Sequence, residues 1–188
     1  MFDHPSTSGL WRFIDRISRP WVLAVLMAVY LVFPLFLFPH AAGGSNSMPL
    51  DLMFAYSPEQ AYAQLASFGE QGRVNYARTT VAVDLAYPVV YTLLFAVWLC
   101  LLLRGRNRYC SYLSMLPFAI FVFDIIENAG ILLLLANYPR EIYWLALATS
   151  VATTIKWLIV APVVLLTLGL SLWRGIQFLN SRAPLGVP

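Results

Sequence analysis

Charge is what this chain has least of. Only 11% of its 188 residues are Asp, Glu, Lys or Arg, and a single lysine, Lys156, stands among them. Ordinary soluble domains carry about 25% charged residues, so this chain cannot clothe a water-facing surface of the usual kind. Cysteine is as scarce. Cys100 and Cys110 lie ten apart, with no further Cys or His at ligand spacing. That excludes a disulfide framework, a Cys-x-x-Cys redox pair and a metal box, and neither a metal nor a cofactor is expected. His4 and His40 stand alone at opposite ends of the first apolar run and read as surface or interfacial groups. The net charge of +3 arises from eleven arginines and one lysine against nine acids, and its distribution, set out below, calls for no nucleic-acid partner.

Hydrocarbon is abundant instead. Hydrophobic residues make up 60% of the chain, and the mean hydropathy is +0.72. This composition defines an integral membrane protein, in contact with membrane lipids over most of its surface. A chain of this length has room for about four spans of roughly 20 residues and no separate soluble domain. Residues 1–188 are therefore read as one integral membrane domain. Four apolar runs, 20–38, 80–103, 111–136 and 143–172, supply the spans. The fold expected is all-α: a polytopic four-transmembrane-helix bundle running up and down, with a short outer amphipathic helix.

Orientation follows from arginine. Arg12, Arg16 and Arg19 precede the first run, Arg104, Arg106 and Arg108 separate the second from the third, and Arg174 and Arg182 follow the fourth. Arg73, Arg78 and Arg140 fall on the other side. The positive-inside bias puts both termini in the cytoplasm, in a bacterial or archaeal cytoplasmic (inner) membrane. The first run is longer than a signal-peptide core and reads as an uncleaved anchor.

The outer loop, 39–79, contains a helix signature. Ser57, Pro58 and Gln60 form an N-cap, a first-turn proline and a capping-box partner. Ala61, Tyr62, Leu65 and Phe68 then recur at helical spacing until Gly69. This helix either caps the bundle or rests in the interface. Each span also carries one proline, Pro34, Pro88, Pro117 or Pro162, expected as a packing kink. Pro88 in addition leaves the carbonyl of Asp84 without its helical partner.

Periodicity turns the few polar residues into stripes. Arg73, Tyr76, Thr80, Asp84, Tyr87 and Tyr91 are spaced 3, 4, 4, 3 and 4 apart, one face of a continuous second helix. Asp124, Glu127 and Asn128 share a face of the third helix, and Thr149, Thr153 and Lys156 a face of the fourth. A rise of about 1.5 Å per residue sets Asp124 and Lys156 both about 18 Å below the outer boundary, with Glu127, Asn128, Thr153 and Tyr91 at about 12 to 16 Å. Asp84 is shallower, within reach of Arg73 or Arg78. An ionised group facing lipid costs at least about 2.5 to 3.5 kcal/mol, so these groups must face one another. The expected polar centre is Asp84, Tyr87, Tyr91, Asp124, Glu127, Asn128, Thr153 and Lys156, with Arg73, Tyr76 and Arg78 at its outer rim. Three intramembrane acids meet one lysine, and the excess is met by protonation of one carboxyl or by an added cation.

In four pieces, GRVNY at 72–76, DLAYPVVY at 84–91, DIIEN at 124–128 and TTIKW at 153–157, the chain resembles an uncharacterised family of small bacterial and archaeal four-helix integral membrane proteins. The resemblance spans roughly 56–157 and implies a shared fold and polar centre, with no activity attached.

Three functions suit this inventory. The polar centre binds or conducts a proton, a cation or a cationic or lipid headgroup, conduction requiring a homodimer or larger membrane complex. Alternatively it is a structural ion-pair network in an accessory or assembly subunit. The third is an intramembrane enzyme acting on a lipid or isoprenoid by carboxyl acid–base chemistry. No nucleophile–base pair, phosphate loop or metal box supports the enzyme, so the balance is against catalysis and no catalytic residue is assigned.

Overall fold

The structure, a computed structural model, describes residues 9–38, 48–104 and 112–182. His4, His40, Cys110, Arg106 and Arg108 lie outside these residues. The described chain is all-α, and four of its helical stretches are long and apolar enough to cross a membrane: Pro20–Leu37, Gly69–Leu103, Leu116–Asn137 and Tyr143–Ser181.

Helix α1 (Gly9–Ile17) is short and amphipathic. It buries Ile14 against Ala96 and Cys100 of α5 (Tyr87–Leu103), and the Arg104 guanidinium fastens its end to Asp15 and the Ser18 carbonyl. Helix α2 (Pro20–Val32) starts on a first-turn proline and buries none of its residues. An apolar helix without a buried face is at home among acyl chains. It continues through a wide π-turn, Phe33–Leu37, which accommodates Pro34.

The connection between the first two spans does not stay at the surface. Leu50–Leu52 forms a 3₁₀ turn, and Leu50 is fully buried. Helix α3 (Pro58–Ser67) follows, with the capping box of Ser57 and Gln60 in place. Exposed Glu59, in its first turn, is held below the ordinary glutamate range by the Ser57 hydroxyl. Ala61, Tyr62 and Leu65 pack on Ile131, Leu134, Leu145 and Ala146, so α3 caps the bundle and does not lie in the interface. Gly69, at φ +64°, then turns the chain into α4 (Gly69–Thr79), a backbone conformation that other residues resist.

The second span differs from the continuous helix its spacing predicts. Helix α4 passes into a π-turn, Thr80–Asp84, in which the Leu85 N–H donates to the Thr80 carbonyl, and α5 begins afresh beside Pro88. Pro88 has no N–H and its ring displaces the preceding turn, so the helix widens instead of passing straight through. Pro117 likewise sits in the first turn of α6 (Leu116–Asn137), which starts five residues later than the apolar run. Of the four span prolines, Pro162 is the one in the interior of an α-helix, α7 (Tyr143–Arg182). That helix runs ten residues past the expected end at 172, because Trp173 and Arg174 end the apolar run without breaking a helix.

α6 and α7 make the most extensive helix contact, and α5 packs on both. Gly130 allows the α6–α7 approach: a Cβ there would lie 2.2 Å from Thr149 Oγ1 and 3.0 Å from its Cβ. Helix α2 packs on α5 and has at most marginal contact with α7. Below, the loop end is the one bearing α3.

Candidate functional site

Three helices bring the ionisable residues together. On α6, Asp124, Glu127 and Asn128 fall at i, i+3 and i+4, and all three are buried. On α7, Thr149, Thr153 and Lys156 follow one another down the facing side, also buried. The close approach at Gly130 and Thr149 sets these two faces in register. Lys156 Nζ donates to Asp124 Oδ1 at 3.1 Å and forms an ion pair with Glu127 Oε2. The Thr153 hydroxyl donates to Glu127 Oε1 at 2.7 Å, and its other neighbour is the Thr149 carbonyl at 3.0 Å. Tyr91, from α5, donates to Asp124 Oδ2 at 3.0 Å. Each carboxylate of the pair therefore has one oxygen on the ammonium and one on a hydroxyl, which is what a buried ion pair needs to offset its desolvation.

Asn128 has a different task. Its Nδ2 donates to the Asp84 carbonyl at 3.1 Å, the group that Pro88 deprives of a helical partner. An amide on α6 thus satisfies a backbone oxygen freed on the second span.

A residue from the loop completes the centre. The Asp51 carbonyl accepts from Lys156 Nζ at 3.4 Å and Trp157 Nε1 at 3.2 Å, while its carboxylate accepts from Tyr76 OH at 2.9 Å. Lys156 is thirteen residues into α7, about 20 Å along it. The loop therefore enters the bundle to the depth of the ion pair. Irregular backbone is tolerated at that depth only where protein groups satisfy it. They do: Thr154 donates to the Phe54 carbonyl at 3.2 Å, and the Tyr56 N–H donates to Ser150 Oγ at 3.0 Å.

Beside this network is a cavity of about 300 Å³. Asp51, Asp84, Asp124, Asn128 and Lys156 line one end; Phe95, Ile120, Val160, Val163 and Val164 line the other. Tyr30, Phe38, Tyr87, Tyr91 and Trp157 form an aromatic wall. Three carboxyls face this space against one ammonium, and that ammonium is already engaged by Asp124 and Glu127. Among the described residues no salt bridge reaches Asp51 or Asp84.

Asp84, Tyr87, Tyr91, Asp124, Asn128 and Lys156 thus line the cavity, while Glu127 and Thr153 sit behind it as the buried half of the ion pair. The expected rim is placed otherwise. Arg73 donates to the Leu65 carbonyl at 3.2 Å and lies 4.0 Å above the Tyr138 ring, in a separate groove between α4 and α6. Arg78 is exposed, and neither arginine pairs with Asp84. Tyr76 is buried beneath the loop and touches the cavity only through Asp51. The physical cause is the π-turn at Thr80–Asp84, whose extra residue per turn puts the stripe out of phase. Asp51 escaped the reading because loops have no period. Its signal is local: one acid inside the apolar stretch MPLDLMF, 48–54.

Fold and site together define an α-helical membrane protein with a buried ion-pair network opening onto a mixed polar and apolar cavity. No protein-family model, curated protein or solved structure matches the chain.

Proposed function

We propose that this protein binds a positively charged group in the cavity, with Asp84 and Asp51 as the receiving carboxylates and Asp124 shared with Lys156. One observation supports the reading above the others: three carboxyls line a space whose only lysine is already occupied by two acids. Intramembrane acids without a counter-ion are costly, and a cation or proton supplied from outside relieves that cost. On this reading the network divides its labour. Lys156, Glu127, Thr153 and Tyr91 hold α5, α6 and α7 in register, and the surplus carboxylates take the ligand. Arginine distribution supports a bacterial or archaeal cytoplasmic membrane with both termini in the cytoplasm, which would set the cavity toward the outer leaflet. We also group the chain with the four-helix family it resembles, a grouping that carries no activity.

The test is ligand-dependent stability of the purified full chain in lipid nanodiscs. Asp84→Asn is expected to fold as well as the parent and to lose the thermal stabilisation that cationic ligands give. If Asp84→Asn and the parent respond alike to every cation tried, the centre is a structural ion-pair network and nothing more.

A further inference from the structure

The cavity has two unlike ends. Its polar end carries Asp51, Asp84 and Asp124; its other end is hydrocarbon, from Ile120, Val160 and Val163. A hydrated ion gains nothing from that second end. An amphiphile gains from both.

The way in is lateral. The first span and α7 both line the cavity, Tyr30 of α2 and Phe38 just past the π-turn from one and Trp157 and Val164 from the other, and all four side chains are only half-buried. Yet among the described residues the two helices scarcely touch, because α2 packs on α5. An apolar α2 with no buried residue belongs among acyl chains, and we read the seam beside it as facing the bilayer. The loop end is closed by contrast, since the chain from Asp51 to Tyr56 is hydrogen-bonded to α7 at three levels.

Resting on the reading that the cavity holds positive charge, we propose that its ligand is a long-chain amine, an ammonium head on a hydrocarbon tail, which enters from the bilayer between α2 and α7. The wall at the seam suits that head. Tyr87 stacks on Tyr30 at 5.5 Å between ring centres and meets Phe38 edge-on at 5.2 Å and Tyr91 at 5.3 Å. Ring faces attract ammonium groups, and more strongly away from water. A phosphate-bearing head is rejected, because it would meet three carboxylates while the cavity's lysine is held by Asp124 and Glu127. Size fits part of such a molecule. About 300 Å³ is the lower end of ligand pockets, enough for the head and its first methylenes while the tail stays among acyl chains.

The full chain in phosphatidylcholine nanodiscs is titrated with dodecylamine, dodecanol, dodecyl phosphate and water-soluble methylamine, following the unfolding temperature. Dodecylamine alone is expected to give a saturable rise, with apparent affinity weakened about tenfold or more in Asp84→Asn. Val164→Trp, which fills the seam and leaves the carboxylates intact, is expected to weaken dodecylamine by a similar factor. Should Asp84→Asn fail to fold, Val164→Trp and the four-ligand comparison decide. A rise with methylamine equal to that with dodecylamine, both lost in Asp84→Asn, overturns the amphiphile and keeps the cation site. Equal rises with dodecanol or dodecyl phosphate overturn the ammonium head. No saturable rise with any amine overturns both readings.

Discussion

Lys156 touches two acids of α6 and a backbone carbonyl of the loop, so its removal strands more than one group. Lys156→Met leaves Asp124 and Glu127 buried without their cation, and breaking a buried pair this way costs about 3–5 kcal/mol. A large fall in the unfolding temperature in detergent is expected, and Lys156→Met combined with both Asp124→Asn and Glu127→Gln should recover much of it, since neutral partners need no counter-ion. Asn128 is tested by its acceptor. Asn128→Leu leaves the Asp84 carbonyl without a donor, worth about 1–3 kcal/mol. Adding Pro88→Ala returns a backbone N–H to that carbonyl, so the double variant should be more stable than Asn128→Leu alone. If the two changes simply add, the pairing of Asn128 with the Asp84 carbonyl is not what holds the bend.

Among elements, the α6–α7 contact sets the geometry of the centre, and Gly130 is its closest point. Gly130→Ala places a methyl group against Thr149, whose hydroxyl donates to the Leu145 carbonyl at 2.8 Å and cannot swing away without losing that bond. Overpacking of this kind costs about 1–3 kcal/mol. Thr149→Ala in the same chain should return part of the loss, as read by thermal unfolding. How much of these elements the sequence discloses depends on whether a period relates the residues. Asp124, Glu127 and Asn128 are one face of one helix, and the fixed rise of α6 and α7 brings Lys156 to their level. Ser57 and Gln60 are as legible, because capping is local chemistry. The stripe from Arg73 to Tyr91 fails where Pro88 forces a wider turn, since a stripe presumes a constant angle per residue. Asp51 is legible only as an oddity, an acid in an apolar loop, and nothing local reveals that Trp157 and Lys156 will hold its carbonyl.

For the whole molecule, an apolar bundle surrounds one deposit of charge, reached by a loop from one end and by a seam from the side. Helix α2, with no buried residue in Pro20–Val32, packs on α5 and scarcely on α7, which leaves the cavity a side facing lipid. The claim on which the functional account depends is that Asp84 presents a carboxylate to a ligand's positive charge. Infrared difference spectroscopy of the nanodisc-embedded protein, recorded on adding dodecylamine, reads that carboxyl directly. The account predicts a carboxyl-band change that is present in the parent chain and missing in Asp84→Asn. A spectrum without carboxyl change, or one unaltered by Asp84→Asn, would contradict it.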